Sequence, residues 1–127
     1  MVNSKVKGSR FERWVAAQLC RLGWRSRRTQ QYQGMGSDGD IVLEDVPETH
    51  WECKVRAALS LYKWIDQAQR DSRGRKLCVV VAKADRREPV VIVELERLGQ
   101  FIDLMQEARG EVSEAETTDD QADRGEA

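Results

Sequence analysis

Residues Gly34–Arg56, GMGSDGDIVLEDVPETHWECKVR, decide the fold that this chain can adopt. A glycine-rich loop opens the stretch, and two short runs of strand-forming residues follow, separated by a polar turn that contains Pro47. Two extended runs joined by such a turn predict a β-hairpin. Asp40 directly precedes the first strand, and Glu52 and Lys54 lie on the second.

The second strand divides its side chains between two faces. Side chains two residues apart on a strand point to the same face and lie about 6.5 Å apart. Glu52 and Lys54 should therefore project together. The residues expected to face a core are Trp51, Cys53 and Val55.

Two acids and a lysine in this arrangement suit the hydrolysis of a phosphodiester bond with a divalent metal ion. The reaction needs an attacking water, neutralisation of the phosphate charge and help for the leaving oxygen. Asp40, Glu52 and the backbone carbonyl of Cys53 are the hard oxygen ligands that Mg²⁺ prefers. Lys54 could orient or deprotonate the water, or stabilise the developing negative charge. By spacing alone, a cross-strand salt bridge on a solvated sheet face explains the same residues.

An amphipathic helix that ends at Gly23 is predicted before the hairpin. Its apolar positions, interpreted as facing the core, are Phe11, Trp14, Val15, Leu19 and Leu22. Glu12 lies seven residues before Leu19, on the inward side, where it could hold a second metal ion. Ser9 and Glu12 also match the S-x-x-E capping box, so a structural role at the helix N-terminus is an alternative.

The remaining elements complete an α/β pattern. Residues 24–31 fit a strand with Arg25 and Arg27 on one face and Arg28 on the other. The elements predicted beyond the hairpin are a helix over 59–72 that buries Trp64, strands over 77–82 and 90–93, and a helix over 95–105. A helical crossover makes the third and fourth strands parallel. The expected fold is therefore a mixed central sheet of about five strands flanked by helices.

Charge is distributed unevenly along the chain. Residues 107–127 hold eight acids and two arginines, whereas residues 1–37 hold eight Lys or Arg with Glu12 as the only acid. We expect one domain over residues 1–106 and a disordered acidic tail over residues 107–127. The basic front half indicates a polyanionic partner.

Composition excludes several other classes. Three widely spaced cysteines in apolar settings predict buried thiols in a reducing cytoplasm rather than disulfides or metal ligands. His50 is the only histidine, which argues against a Ser-His-Asp hydrolase, a zinc finger or a histidine-based nuclease. Neither an apolar run long enough to span a membrane nor a signal-peptide pattern is present, so we expect no membrane association.

Three motifs together resemble those of the PD-(D/E)XK nuclease superfamily, and more narrowly the archaeal-type Holliday junction resolvases and their phage relatives. The motifs are Gly8–Arg13 (GSRFER), Gly36–Val42 (GSDGDIV) and Trp51–Lys54 (WECK). The resemblance spans roughly residues 7–95 and includes the order of elements. It implies a restriction-endonuclease-like fold. It also implies a magnesium site that involves Glu12, Asp40, Glu52 and Lys54.

Some positions depart from the superfamily pattern or leave a choice open. Gly39 stands where the motif's name has proline, and Asp38 is a rival to Asp40 for the ligand position. Several members carry a glutamine that faces the site from the next helix. We favour Gln67 over Gln69 for this role, although a surface glutamine explains either. Ser37 resembles a loop serine of the resolvases.

The expected function is a Mg²⁺-dependent, structure-selective endonuclease that acts on branched DNA as a homodimer in the cytoplasm, with Mn²⁺ as a substitute metal. The expected DNA contacts are Lys5, Lys7, Arg10, Arg13, Arg25, Arg27, Arg28 and Ser37, with the basic residues gripping phosphates without reading sequence. Two alternatives stay open. One is another small nuclease of this superfamily that acts on flaps, nicks or single strands; the other is a non-catalytic DNA-binding subunit with the same fold.

Overall fold

The structure is a computed structural model that describes residues 4–29 and 39–116. Ser37 and Asp38 therefore lie outside the described residues. The elements in chain order are α1 (Ser4–Arg21), β1 (Ser26–Arg28), β2 (Ile41–Leu43), β3 (Thr49–Arg56), α2 (Leu61–Ser72), β4 (Leu77–Ala84), β5 (Val90–Ile92) and α3 (Leu98–Glu116), with a short 3₁₀ turn at Leu95–Arg97 before α3.

The five strands form one mixed sheet in the order β1-β2-β3-β4-β5. β3 and β4 are parallel, with Glu52 opposite Val80, and the other neighbouring strands are antiparallel. Helix α2 makes the crossover that two parallel strands require. The predicted α/β fold, with its hairpin of β2 and β3, is confirmed.

Helices cover both faces of the sheet. One core joins α1 and α3 to the face that carries Trp51 and Val79, and Cys53 and Val55 pack against it. The smaller second core joins α2 to Val80 and its neighbours on the opposite face. The alternation predicted along β3 is therefore correct. His50, Glu52 and Lys54, which alternate with Trp51 and Cys53, lie on the α2 side.

Helix α1 begins earlier than predicted. It starts at Ser4, so Ser9 and Glu12 lie in its second and third turns and cannot form an N-terminal capping box. The capping alternative for Glu12 is therefore wrong. Residues 4–7 are helical, so the basic side chains of Lys5 and Lys7 extend from the helix surface.

Trp14 is not a core residue, contrary to the expectation from helical spacing. Its exposed fraction is 46%, whereas Trp64, for which burial is also predicted, is 5% exposed. The stripe of α1 that contacts the sheet consists of Phe11, Val15, Ala16 and Leu19. Trp14 lies beside this stripe and stacks on Phe11, with 6.1 Å between ring centroids and 14° between ring planes.

Two other boundaries differ from the expected ones. β1 covers only Ser26–Arg28, a shorter strand than the predicted residues 24–31. α3 continues to Glu116 and so crosses the expected boundary between residues 106 and 107. Residues 117–127 lie outside the described part of the chain. Within that part, the helices are too short or too polar to cross a membrane.

Gly39 allows the chain to approach β3 closely just before β2 begins. Its φ angle is +78°, and a Cβ at this position would collide with the carbonyl oxygen of Trp51. The N–H of Asp40 donates to that carbonyl at 2.8 Å. Thr29 holds the other side, because its Oγ1 donates to the carbonyl of Gly39 at 2.6 Å. Proline cannot adopt a positive φ, which explains why glycine replaces it here.

We expect Gly39→Ala to destabilise the protein by more than Gly74→Ala. Both glycines have positive φ, but the space around Gly74 is open, so alanine there should cost only about 1 kcal/mol from backbone strain. At Gly39 the collision with Trp51 adds to that strain. Urea unfolding of the two variants measures the difference, and equal stability would contradict the proposed close approach.

Candidate active site

Six residues predicted to form the site line one cleft of about 480 Å³. They are Glu12 from α1, Asp40 before β2, Glu52, Cys53 and Lys54 from β3, and Gln67 from α2. Four parts of the chain thus bring acids, a lysine and an amide to one place. Lys5 and Asp71 also line the cleft.

Asp40 is held against β3 by backbone and side chain together. Besides the hydrogen bond from its N–H to Trp51, its Oδ2 accepts the backbone N–H of Cys53 at 2.9 Å. Burial, together with the nearby negative charge of Glu52, raises the pKa of Asp40 from 3.8 to about 7. The site therefore has a carboxyl group that gains stability when a positive charge is bound beside it.

Glu52 is the other half of this acidic pair, and it is held by a buried histidine. His50 is fully buried, and its Nε2 lies 2.8 Å from Oε1 of Glu52. Burial raises the pKa of Glu52, but hydrogen bonds from His50 and Asp40 outweigh burial and hold the pKa below its usual value. Glu52 is therefore the ionised member of the pair when Asp40 holds a proton.

Lys54 and Gln67 approach each other across the cleft. Lys54 Nζ donates to Oε1 of Gln67 at 3.0 Å, and both side chains are partly buried. Gln69 points elsewhere, because its Nε2 donates to Glu94 at 2.6 Å. Of the two candidate glutamines, the structure thus places Gln67 in the cleft. A lysine ammonium has three donors, so the bond to Gln67 orients Lys54 without using all of them.

Glu12 faces the cleft but is paired with an arginine. Its Oε1 accepts from Nε of Arg28 at 3.0 Å, and Nη2 of Arg28 also donates to Oγ of Ser9 at 3.3 Å. Arg28, predicted as a DNA contact on its own face of β1, therefore orients an acidic residue of the site. Its charge balances the charge of Glu12 beside the acidic pair.

The other basic residues predicted to contact DNA fall into two groups. Arg25 and Arg27 lie outside the cleft and pair with Asp45 at 2.6 Å and Glu44 at 3.0 Å, respectively. The hydrogen bonds from Arg25 hold the pKa of Asp45 below its usual value. The second group is on α1 and consists of Lys5, Lys7, Arg10 and Arg13, all exposed. Lys7 is 3.3 Å from Asp85.

The oxygen donors in the cleft fit a hard divalent cation whose remaining coordination positions are filled by substrate and water. Within residues 4–29 and 39–116, no three His, Cys, Asp or Glu side chains are grouped closely enough to hold a metal ion by themselves. Mg²⁺ usually takes only one or two carboxylates from the protein and fills its other positions with water and phosphate oxygens. Asp40 and Glu52 supply that pair, and their mutual repulsion is what a cation would relieve.

A backbone carbonyl lies beside this pair of carboxylates. The carbonyls of Trp51 and Cys53 point to the same edge of β3, because orientation alternates along a strand. The Trp51 carbonyl accepts from Asp40, so that of Cys53 faces the same edge. The thiol of Cys53, unlike its carbonyl, is a poor metal ligand. Burial raises the pKa of the thiol well above the usual range, so it stays neutral.

Sequence reasoning missed the role of His50. The alternation that placed Glu52 and Lys54 on one face also places His50 there, two residues earlier, and this was the available signal. In the sequence His50 serves only to argue against histidine-based catalysis and zinc fingers, and a lone buried histidine that orients a carboxylate has no motif of its own. The partner of Glu12 was also missed, because Arg28 and Glu12 are 16 residues apart on different elements.

A mixed five-stranded sheet with two carboxylates and a lysine at one end of a hairpin defines the PD-(D/E)XK class of nucleases. The chain belongs to the family described as "Phage putative PDDEXK endonuclease", whose model matches residues 3–124. It is also similar in structure to Hjc, a Holliday junction resolvase from the archaeal hyperthermophile Archaeoglobus fulgidus. That match has a TM-score of 0.50 and 26% identity, and covers 68% of this chain and 72% of the resolvase. No curated protein matches the chain.

We expect Asp40→Asn to stabilise the metal-free protein by about 1 kcal/mol or more at pH 8. Because the pKa of Asp40 is higher in the folded chain, its contribution to stability is present at pH 4 and is lost as the pH rises through about 7. The variant should therefore gain over the wild type across this range. Unfolding in EDTA at several pH values measures the gain.

The matched control for this prediction is Asp66→Asn, at an exposed position of α2. It should leave the pH dependence of stability unchanged. A loss of stability in Asp40→Asn at pH 8 would show that the Asp40 carboxylate is needed for folding, and would contradict the prediction.

We expect His50→Leu to lower the free energy of unfolding by about 1–3 kcal/mol, because the buried carboxylate of Glu52 loses a hydrogen bond. His50→Gln should lose less, since an amide N–H can still reach Glu52. Chemical unfolding at pH 7 compares the two variants. Equal or higher stability of the leucine variant would contradict the assignment of His50 as the partner of Glu52.

Proposed function

We propose that this nuclease is a Mg²⁺-dependent endonuclease that cleaves branched DNA, in the manner of a Holliday junction resolvase. One observation carries the proposal: Asp40, whose pKa is raised, forms a partly buried acidic pair with Glu52 in the same cleft as Lys54. Membership of a PDDEXK endonuclease family and structural similarity to the archaeal resolvase support it.

The residues that would hold the metal are Asp40, Glu52 and the carbonyl of Cys53, with Glu12 at the margin of the cleft. Bound Mg²⁺, or Mn²⁺ in its place, would neutralise charge on the phosphate and lower the pKa of water. Glu12 can contribute only if it leaves Arg28 or shares its carboxylate. Binding of phosphate oxygens by Arg28 would free Glu12 for that role.

Lys54 is the residue that acts on the water or the phosphate. Its Nζ lies in the cleft and is oriented by Gln67. A donor at this place can align a water for attack or stabilise the charge that develops on the phosphate oxygens. Gln67 acts through Lys54 by limiting the positions that the flexible ammonium takes.

Helix α1 supplies the surface for the DNA backbone. It carries five Lys or Arg and a single acid, Glu12, over its 18 residues. Lys5 lines the cleft itself, and Arg10 and Arg13 extend from exposed positions. Contacts of this kind bind phosphates of any sequence, which suits an enzyme that selects DNA by shape.

We further propose that the active form is a homodimer in the cytoplasm. A four-way junction is cut on two strands, and two copies of the chain would provide one cleft for each. Sedimentation of the free protein and of its complex with a junction would measure the number of copies directly.

Purified protein should nick a four-way DNA junction with Mg²⁺ and lose this activity in EDTA. Lys54→Ala should lower the cleavage rate by about 100- to 10,000-fold, because it removes the donor beside the scissile phosphate. Asp40→Asn should abolish cleavage while the protein stays folded. Lys63→Ala, at an exposed position of α2, is the matched control and should cleave normally.

Comparison of a junction, a flap, a nicked duplex and a single strand in one assay defines the substrate. Faster cleavage of flaps, nicks or single strands than of the junction would replace the resolvase proposal with a different nuclease. Cleavage that persists in both Lys54→Ala and Asp40→Asn would refute the site. Binding of junction DNA without cleavage and without Mg²⁺ binding would indicate a non-catalytic DNA-binding subunit.

A further inference from the structure

A second groove, of about 430 Å³, adjoins the cleft along helix α1. The two cavities share Phe11 and Val55 in their walls. Trp14 forms the exposed aromatic part of the groove, and Pro89 lies opposite, in the segment that joins β4 to β5. A strand of DNA that leaves the cleft on this side would enter the groove next.

Trp14 has the properties of a fixed stacking surface. Its ring is nearly parallel to that of Phe11, which is buried at 8% exposure and belongs to the core. One part of the Trp14 ring is thus supported by the protein, while 46% of the residue remains exposed. Because Phe11 already holds the ring of Trp14 in place, the side chain loses little conformational entropy when a planar group stacks on it.

Basic residues surround this ring. Lys7 and Arg10 precede Trp14 by seven and four residues, which places all three on one side of α1. Lys83 lines the groove from the end of β4. Among the described residues that line the wall, Glu88 is the one acid, and Lys7 pairs with Asp85. The charges of Arg10 and Lys83 exceed that of Glu88, so the groove carries a net positive charge beside the aromatic ring.

We propose that this groove binds an unpaired nucleotide of the DNA strand that leaves the cleft. Its base would stack on Trp14, and its phosphates would lie toward Arg10 and Lys83. An aromatic platform with basic margins is the arrangement by which proteins bind single-stranded nucleic acid. The proposal rests on the proposed function and deepens it, because it specifies a substrate with unpaired nucleotides at the branch.

A strand of DNA fits the groove better than a second copy of this chain does. The groove is continuous with the cleft through Phe11 and Val55, so a bound strand reaches it without a separate docking event. Lysine is depleted at the centre of protein–protein interfaces, whereas Lys7 and Lys83 are part of this wall. Self-association is retained as an outcome of the test.

The test measures DNA binding in the full chain carrying Lys54→Ala, so that cleavage does not interfere. One probe is a labelled four-way junction with four unpaired thymidines at the branch point, and the other has abasic nucleotides in their place. Fluorescence anisotropy in Mg²⁺ gives the dissociation constants of proteins that also carry Trp14→Ala, Trp14→Phe or Tyr62→Ala. Tyr62 is an exposed aromatic residue outside both cavities and serves as the control.

Trp14→Ala should weaken binding of the thymidine junction by about 5- to 100-fold. Trp14→Phe should keep most of the affinity, and Tyr62→Ala should have no effect. The abasic replacement should weaken binding only when an aromatic ring is present at position 14, which a general structural defect would not produce.

Unchanged binding by Trp14→Ala, or an equal loss for both probes, would overturn the proposal. So would a change from dimer to monomer in Trp14→Ala that leaves the preference for thymidine intact, because the groove would then be an interface between copies. Failure of the proposed function is a separate result: wild-type protein would not cleave any probe in Mg²⁺, whatever the binding constants show.

Discussion

The contact between Asp40 and strand β3 is the interaction on which the rest of the site depends. The N–H of Asp40 donates to the Trp51 carbonyl, and its carboxylate accepts the N–H of Cys53. These two bonds fix the carboxylate beside Glu52 and leave the Cys53 carbonyl facing the same edge. Both bonds require the close approach that Gly39 permits. The position of the Asp40 carboxylate therefore depends on the positive φ angle of Gly39.

The cleft concentrates groups that oppose folding. Asp40 and Glu52 repel each other in a partly buried place, and Glu12 needs Arg28 to balance its charge. The protein tolerates this because a large apolar core on the other face of β3, around Trp51, supplies the stability. The side chains of β3 that line the cleft and those that form the core thus lie on opposite faces of one strand.

The parts of the fold and the site that could be predicted from the sequence are those governed by local periodicity. Alternation along β3 and the crossover through α2 depend only on neighbouring residues, so the sheet and the shared face of Glu52 and Lys54 could be predicted. Trp14 could not be placed by the same method, because helical spacing tells which residues lie near the apolar stripe and not how wide the contact with the sheet is. The helix start at Ser4 is not the one that the sequence favours, because Ser9 and Glu12 match a capping box further along the chain. The pairs Lys54–Gln67 and Glu12–Arg28 are set by tertiary structure.

The shortness of β2 explains why the cleft exists at all. In the described residues β2 pairs with β3 only at Ile41 and Trp51. Gly39 and Asp40 then leave the antiparallel register, because both lie against Trp51 instead of pairing with the next residues of β3. Had residues 39–40 continued the strand, their backbone would pair with Glu52 and Cys53 and close the sheet over that position. The site thus occupies the space that two further strand residues would fill. A lengthened hairpin would extend the paired sheet and remove the cleft.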